Sequence, residues 1–150
     1  MNDEYFMRQA IALAKEAAEE GEVPVGAVVV FDGKIVGKGR NRREISKNAL
    51  AHAEIEAINE ACRALGGWRL WQCDMYVTLE PCPMCTGAII NSRIKRLVYG
   101  ASDYKAGSCG SVIDLFSLPY NHKPEVAKGV MQEECAALLS DFFKKLRKKL

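Results

Sequence analysis

The chain has 150 residues, of which 49% are hydrophobic and 27% charged, so it is long enough for one hydrophobic core and has the composition of a globular protein. No apolar run approaches the roughly 20 residues that span a bilayer, and residues 1–10 lack the basic and apolar regions of a secretion signal. We therefore expect a cytoplasmic protein without a membrane span. The formal net charge of +2 excludes no class of ligand.

Hydrophobic periodicity and turn residues predict the elements of the first half of the chain. Apolar residues at helical spacing favour a helix over 3–20, and Asp32-Gly33 is typical of the two-residue turn of a β-hairpin. In chain order we predict that helix, the hairpin over 23–39, an irregular segment over 41–51 and a helix over 52–65.

The second half of the chain continues the alternation of strands and helices. We predict a strand over 74–79, a helix ending near 91, a strand over 94–101, a glycine-rich loop over 102–111, a short helix around 112–117, a weak strand over 124–130 and a helix over 132–149. Such alternation favours a three-layer α/β fold with a mixed sheet. We find no linker or internal repeat, so residues 1–150 are expected to form a single domain.

Cys82 and Cys85 are the two cysteines, out of six, that have the spacing of metal ligands. The segment EPCPMC follows a predicted strand and opens a helix, where the helix dipole favours the thiolate form. Two thiolates leave a zinc site incomplete, because a catalytic zinc takes three protein ligands and keeps its fourth position for water.

His52 and Glu54, at the start of the preceding predicted helix, complete this pattern. Helices on one face of a sheet run parallel, so His52 can meet the two cysteines at one end of the sheet and serve as the third ligand. Glu54 lies two residues further on and would move protons rather than bind the metal. A redox pair or half of a structural zinc site would also explain the two cysteines, but neither explains Glu54.

These motifs belong to a longer pattern that spans nearly the whole chain. The segments GEVPVGAVVV, AHAEI, MYVTLEPCPMC, SRIKRLVYGA, YNHKPEV and ECAALLSDFFKKLR resemble, in one colinear order, the bacterial tRNA-specific adenosine deaminases. The resemblance implies a cytidine-deaminase-like α/β/α fold with a mixed sheet of about five strands. It also implies one Zn²⁺ per chain, no organic cofactor, and a homodimer that draws RNA contacts from both subunits.

The resemblance assigns roles to individual residues. It implies that His52, Cys82 and Cys85 bind zinc, that zinc-bound hydroxide attacks C6 of the wobble adenosine in a tRNA anticodon loop, and that Glu54 shuttles protons. The residues implied to contact the substrate are Asn41, Val25, Ala51, Asp103, Lys105, Ala106, His122, Phe143, Lys144 and Arg147. Of Phe142 and Phe143, one ring is expected in the core and the other toward RNA.

The chain departs from the family pattern at residues 48–50, where Asn-Ala-Leu stands in place of a proline-containing segment. Tyr104 is also larger than the residue often found at its position. Both differences lie near the expected rim of the pocket.

Two other functions compete with tRNA deamination. The first is a deaminase of the same fold that acts on a free guanine or cytosine compound. The second is a non-catalytic zinc-stabilised binding module, which would normally close its site with four protein ligands. Residues 144–150, KKLRKKL, carry five bases and no acid, which favours a phosphate-bearing substrate but is also typical of a solvated helix end.

Overall fold

In the computed structural model, which describes residues 2–149, five strands form one sheet. The strands are β1 (Gly26–Phe31), β2 (Lys34–Arg40), β3 (Cys73–Leu79), β4 (Arg96–Ala101) and β5 (Glu125–Lys128). They lie in the order β2-β1-β3-β4-β5, with β1 antiparallel to both of its neighbours and β3, β4 and β5 parallel. The predicted mixed five-stranded sheet is confirmed, and β2 and β3 run in the same direction on either side of β1.

Helices cover both faces of this sheet. They are α1 (Asp3–Glu19), α2 (Arg43–Ser46), α3 (Ala53–Leu65), α4 (Pro83–Ser92) and α5 (Gln132–Lys148). One core cluster joins α3 and α4 to side chains such as Val29, Met75 and Leu97 on one face of the sheet. A second joins α1 and α5 to Val28, Tyr76 and others on the opposite face. The predicted three-layer α/β/α architecture is therefore confirmed.

The hairpin turn and the helix ends lie at the glycine, aspartate and proline residues that are typical of such positions. Asp32 and Gly33 both have positive φ, 51° and 74°, as a two-residue hairpin turn requires. Gly66, with φ 72°, ends α3 in the left-handed conformation, and Pro83 occupies the first turn of α4.

Gly39 allows α3 to lie directly against β2. A Cβ atom built on Gly39 would stand 2.0 Å from the carbonyl oxygen of Ala53, and one on Gly37 would stand 2.1 Å from that of Ala57. Only glycine permits so close an approach between strand and helix. This contact sets the position of the start of α3, which carries His52 and Glu54.

A partly buried ion pair attaches the start of α1 to the sheet. The guanidinium of Arg96 donates two hydrogen bonds to the carboxylate of Asp3, at 2.8 and 2.7 Å, and the Tyr76 hydroxyl donates a third at 2.7 Å. These donors lower the pKa of Asp3, the hydrogen bond from Arg96 most strongly. The carboxylate is therefore held in its charged form.

The structure corrects three details of the predicted elements. The segment over 41–51 contains the one-turn helix α2, and the helix predicted around 112–117 is only a 3-10 turn, Leu115–Ser117. The third helix begins at Ala53, so His52 stands before it in extended conformation. No helix within residues 2–149 has the length and apolar character needed to cross a bilayer.

Candidate active site

A cavity of about 220 Å³ lies where β2 and β3 end and α3 and α4 begin. Because β2 and β3 run in the same direction, the helices that follow them start at the same edge of the sheet. The residues that line the cavity are Val23, Val25, Asn41, Arg43, His52, Glu54, Leu79, Glu80, Cys82, Asp103 and Ala106.

His52, Cys82 and Cys85 bring one nitrogen and two sulfur atoms together beside this cavity. The Nδ1 atom of His52 lies 3.7 Å from Sγ of Cys82 and 3.6 Å from Sγ of Cys85, and all three atoms lie within 4.8 Å of one another. Tetrahedral zinc, with bonds of 2.0 to 2.3 Å to its ligands, holds such atoms about 3.6 Å apart. The donor set and its spacing therefore fit a zinc ion.

Two of these three residues stand at the N-cap positions of their helices. His52 precedes α3 with φ −88° and ψ 152°, and Cys82 precedes α4 with φ −73° and ψ 176°. In this extended conformation the residue at i+2 need not point away from its neighbour as it would within a helix. Glu54 can thus share the cavity with His52 although the two are only two residues apart.

The protein groups around the cysteines favour a single thiolate. The hydrogen bond from the Cys85 thiol, together with one from His52, lowers the pKa of Cys82 to about 4 despite partial burial. The pKa of Cys85 is correspondingly raised, since its proton is held by Cys82 and its burial disfavours a second charge. A metal that binds both sulfurs must therefore displace a proton from Cys85.

Glu54 is a buried carboxylate, 4% exposed, at the inner wall of the cavity. Burial raises its pKa to about 7, and the negative charge at Cys82 adds to this effect, while its own backbone N–H and the charge of His52 oppose it. A carboxyl group that titrates near neutrality can both accept and donate a proton at physiological pH.

Asn41 and Val25 also line the cavity and are both buried. The Asn41 side chain donates a hydrogen bond to the Val23 carbonyl at 3.1 Å and accepts one from the Ala53 N–H at 3.0 Å. Its amide is thus fixed in orientation and attached to the first residue of α3.

Glu80 holds the glycine-rich loop against the cavity. Its carboxylate, 2% exposed, accepts hydrogen bonds from the backbone N–H groups of Asp103, Cys109 and Ser111, at 3.0 to 3.1 Å. Asp103 and Ala106 consequently line the cavity, as their predicted roles require, whereas Lys105 is exposed on the outer side of the same loop.

The remaining predicted contact residues lie outside the cavity. Ala51 is adjacent to His52 but not in the cavity lining, and His122 lies 2.7 Å, through Nε2, from the Ile94 carbonyl at the opposite end of the sheet. On α5, Lys144 and Arg147 are exposed. Phe142 is half-buried and Phe143 is 40% exposed, so Phe143 is the more accessible of the two rings.

Four cavity residues were absent from the sequence-based prediction: the apolar Val23 and Leu79, and the charged Arg43 and Glu80. Glu80 directly follows β3 and precedes the cysteine motif, so an acid at this junction was a usable signal. Arg43 lies in a segment predicted to be irregular, and nothing in the local pattern marks it. Only the fold places its side chain at the cavity.

Comparison with known proteins assigns this arrangement to a family. The family model of MafB19-like deaminases matches residues 1–147. The chain is 51% identical to the tRNA-specific adenosine deaminase of Bacillus subtilis (strain 168), over 98% of this chain and 92% of the relative. It is 50% identical to the tRNA-specific adenosine deaminase of Haemophilus influenzae, over 97% and 85% of the two chains.

A solved structure from a study of A-to-I editing by tRNA:A34 deaminases has a TM-score of 0.88 and 46% identity, covering 90% of this chain and 99% of that one. The agreement in sequence extends over nearly the full length of these proteins, and the agreement in structure extends over 90% of this chain. The chain is an enzyme of the tRNA-specific adenosine deaminase family.

Proposed function

We propose that residues 1–150 form one zinc-dependent deaminase domain that converts the wobble adenosine of a tRNA anticodon loop to inosine. The observation that carries this proposal is the convergence of His52, Cys82 and Cys85 beside the buried carboxyl group of Glu54. The relatives named above act on tRNA adenosine, and the related solved structure concerns the wobble position. Because the substrate is tRNA, we place the enzyme in the cytoplasm.

His52, Cys82 and Cys85 would hold one Zn²⁺, which, when bound, supplies the Lewis acidity that makes water a nucleophile at neutral pH. Three protein ligands leave a position for water, in contrast to a structural site closed by four. No organic cofactor is needed for a hydrolytic reaction. The donor set therefore argues against a purely structural role for the metal.

Glu54 would carry the protons of the reaction. In its charged form the carboxylate would take a proton from the attacking water and then deliver it to the purine ring nitrogen. It would next take the proton of the new hydroxyl group at C6 and pass it to the amino group, which leaves as ammonia. A pKa near 7 allows both steps at one pH. Only 4% of Glu54 is exposed, which limits the access of bulk water to this carboxyl group.

The other predicted residues would hold the RNA around the extruded base. We assign Asn41, Val25, Ala51, Asp103 and Ala106 to the target nucleoside. Lys105, Phe143, Lys144 and Arg147 lie outside the cavity, where phosphates and flanking bases would pass. The exposed cations Lys105, Lys144 and Arg147 favour a polynucleotide over a free base, which has no phosphate to bind.

We further propose that the enzyme works as a homodimer. Within one subunit His122 lies at the end of the sheet remote from the cavity. A contact between His122 and RNA is therefore better explained by RNA that is seated on the second subunit.

The decisive experiment is incubation with an anticodon stem-loop that carries a wobble adenosine, scored for inosine. Free guanine and cytidine are tested in parallel. Inosine from the stem-loop alone would support the proposal, whereas turnover of a free base alone would favour the alternative, a free-base deaminase of the same fold. Glu54→Gln, with nearly the same volume, should keep its zinc and lose activity by a factor of about 100 or more.

A further inference from the structure

A second depression, of about 350 Å³, adjoins the active-site cavity. We call it the aromatic groove; its outer wall consists of Phe142, Phe143 and Leu146 of α5. Val23 and Arg43 line both the groove and the active-site cavity. The two depressions are therefore neighbours that share one wall, and Arg43 is the cation in that wall.

Arg43 is held in place by its backbone. The buried carboxylate of Glu22 accepts hydrogen bonds from the N–H groups of Glu44 and Ile45, at 3.1 and 2.7 Å. The carbonyl of Arg43 accepts a third from Asn48 N–H at 3.1 Å. The first turn of α2 is thus attached to Glu22, and the chain after α2 folds back onto Arg43, which fixes where the Arg43 side chain starts.

In the part of the chain that the structure describes, no carboxylate lies within 4 Å of the Arg43 guanidinium, in contrast to the other arginines of this segment. Arg40 pairs with Glu20 at 2.8 Å and Arg42 pairs with Glu56 at 3.0 Å. Among residues 2–149, Arg43 makes no such ion pair, and its side chain is exposed. An exposed arginine without an acidic partner retains its five donors for an anionic ligand.

The charges in the groove define where an anion can lie. Glu22 and Glu44 also line the groove, so a phosphate deep inside it would meet two carboxylates. The Phe142 and Phe143 rings offer a surface on which an uncharged base can stack. The arrangement favours a phosphate at the wall shared with the active-site cavity and a base in the groove.

From this geometry we infer that Arg43 binds the phosphate that links the target nucleoside to an adjacent nucleotide, whose base lies in the aromatic groove. The inference rests on the proposed function for the nature of the target. Arg43 is then a substrate-positioning residue. It favours a polynucleotide over a free base or nucleoside, because only the polynucleotide carries the phosphate that Arg43 binds.

The test is a cycle of binding measurements between two proteins and two kinds of RNA. The proteins are the wild type and Arg43→Gln. The RNAs are an anticodon stem-loop and the same stem-loop with an uncharged methylphosphonate at the linkage 5′ or 3′ of the target adenosine. We expect Arg43→Gln to weaken binding of the unmodified RNA about tenfold. One of the two uncharged linkages should weaken wild-type binding similarly and leave Arg43→Gln unaffected.

Two matched variants serve as controls. Arg63→Gln removes an exposed arginine from the last turn of α3, remote from the cavity, and should bind like the wild type. Arg43→Lys keeps the charge and should recover part of the affinity. The slope of log Kd against log salt should fall by about 0.7 for Arg43→Gln, as expected when one contact to single-stranded phosphate is lost.

The inference is overturned if Arg43→Gln binds as tightly as the wild type, or if the uncharged linkages weaken both proteins equally. Inosine formation is measured on the same preparations, which separates this inference from the proposed function. RNA binding that depends on Arg43 without any inosine would sink the proposed function alone. Inosine formation with no coupling between Arg43 and either linkage would sink the inference alone.

Discussion

The side chain of Asn41 accepts a hydrogen bond from the backbone N–H of Ala53, at 3.0 Å, although the two residues belong to different elements. An N-terminal N–H group of α3 is usually satisfied by a capping side chain, and His52, which occupies the N-cap position, makes no such bond. Asn41, which precedes α2 in the chain, therefore caps the start of the helix that carries Glu54.

Asn41→Ala should accordingly reduce both stability and activity. Loss of the amide leaves the Ala53 N–H and the Val23 carbonyl without this partner, and we expect the free energy of unfolding to fall by about 1 to 2 kcal/mol. Urea denaturation measures that change, and inosine formation below the unfolding transition measures the activity. Unchanged stability would show that Asn41 does not support α3.

Removal of the metal should destabilise the whole domain. A ligand that binds only the folded chain adds to its stability, so a chelator should lower the Tm and abolish activity, and added zinc should restore both. Elemental analysis should find about one zinc per chain.

Cys82→Ser should lose most of this zinc. Cys62→Ser, which changes a half-buried cysteine outside the site, should retain it. Equal zinc content in the two variants would contradict the assigned ligands.

Gly39→Ala should lower the stability of the fold, although it changes no predicted catalytic residue. The new methyl group would meet the Ala53 carbonyl, so α3 must move away from β2, at a cost of about 1 to 3 kcal/mol. Gly67→Ala is the matched control, because a Cβ at Gly67 meets no atom within 4 Å. We expect thermal denaturation to show a clear loss for Gly39→Ala and little change for Gly67→Ala.

Asp3→Asn should lower stability in a manner that depends on pH. The folded-state pKa of Asp3 lies below its ordinary value of 3.8, so its contribution is fully present above that value and is lost as the pH falls through the lower folded pKa. The difference in unfolding free energy between wild type and variant should be constant from pH 6 to 8 and shrink below about pH 4. A difference that grows with acidity would refute this account.

The sequence allowed the His52-Cys82-Cys85 cluster and the layers of the fold to be predicted, because the cluster consists of two recognisable short motifs and the layers follow from the alternation of elements. The spacing of Cys82 and Cys85 after a strand, and the alternation of strands with helices, are visible without coordinates. The resemblance to a family also supplied residues, such as Asp103 and Ala106, that the structure brings to the cavity.

The residues that escaped prediction depend on long-range contacts. Glu22 binds backbone groups 22 and 23 residues away, and Glu80 binds groups 23 to 31 residues away. No local pattern distinguishes such carboxylates from solvated ones, since their partners are main-chain N–H groups without a sequence signature. Arg43 and α2 were missed for the same reason, because Glu22 is what holds this short helix.

Glu22 and Glu80 anchor the rim of the cavity separately from the helices that carry the proposed zinc ligands. The proposed zinc ligands stand at the starts of long helices packed on the sheet, whereas the rim of the cavity consists of two loops, each tied down by one buried carboxylate. Substitutions between these anchoring points can reshape the rim while the reactive groups stay where they are. We therefore expect substitutions in these two rim segments to alter substrate preference more readily than the chemistry of the reaction.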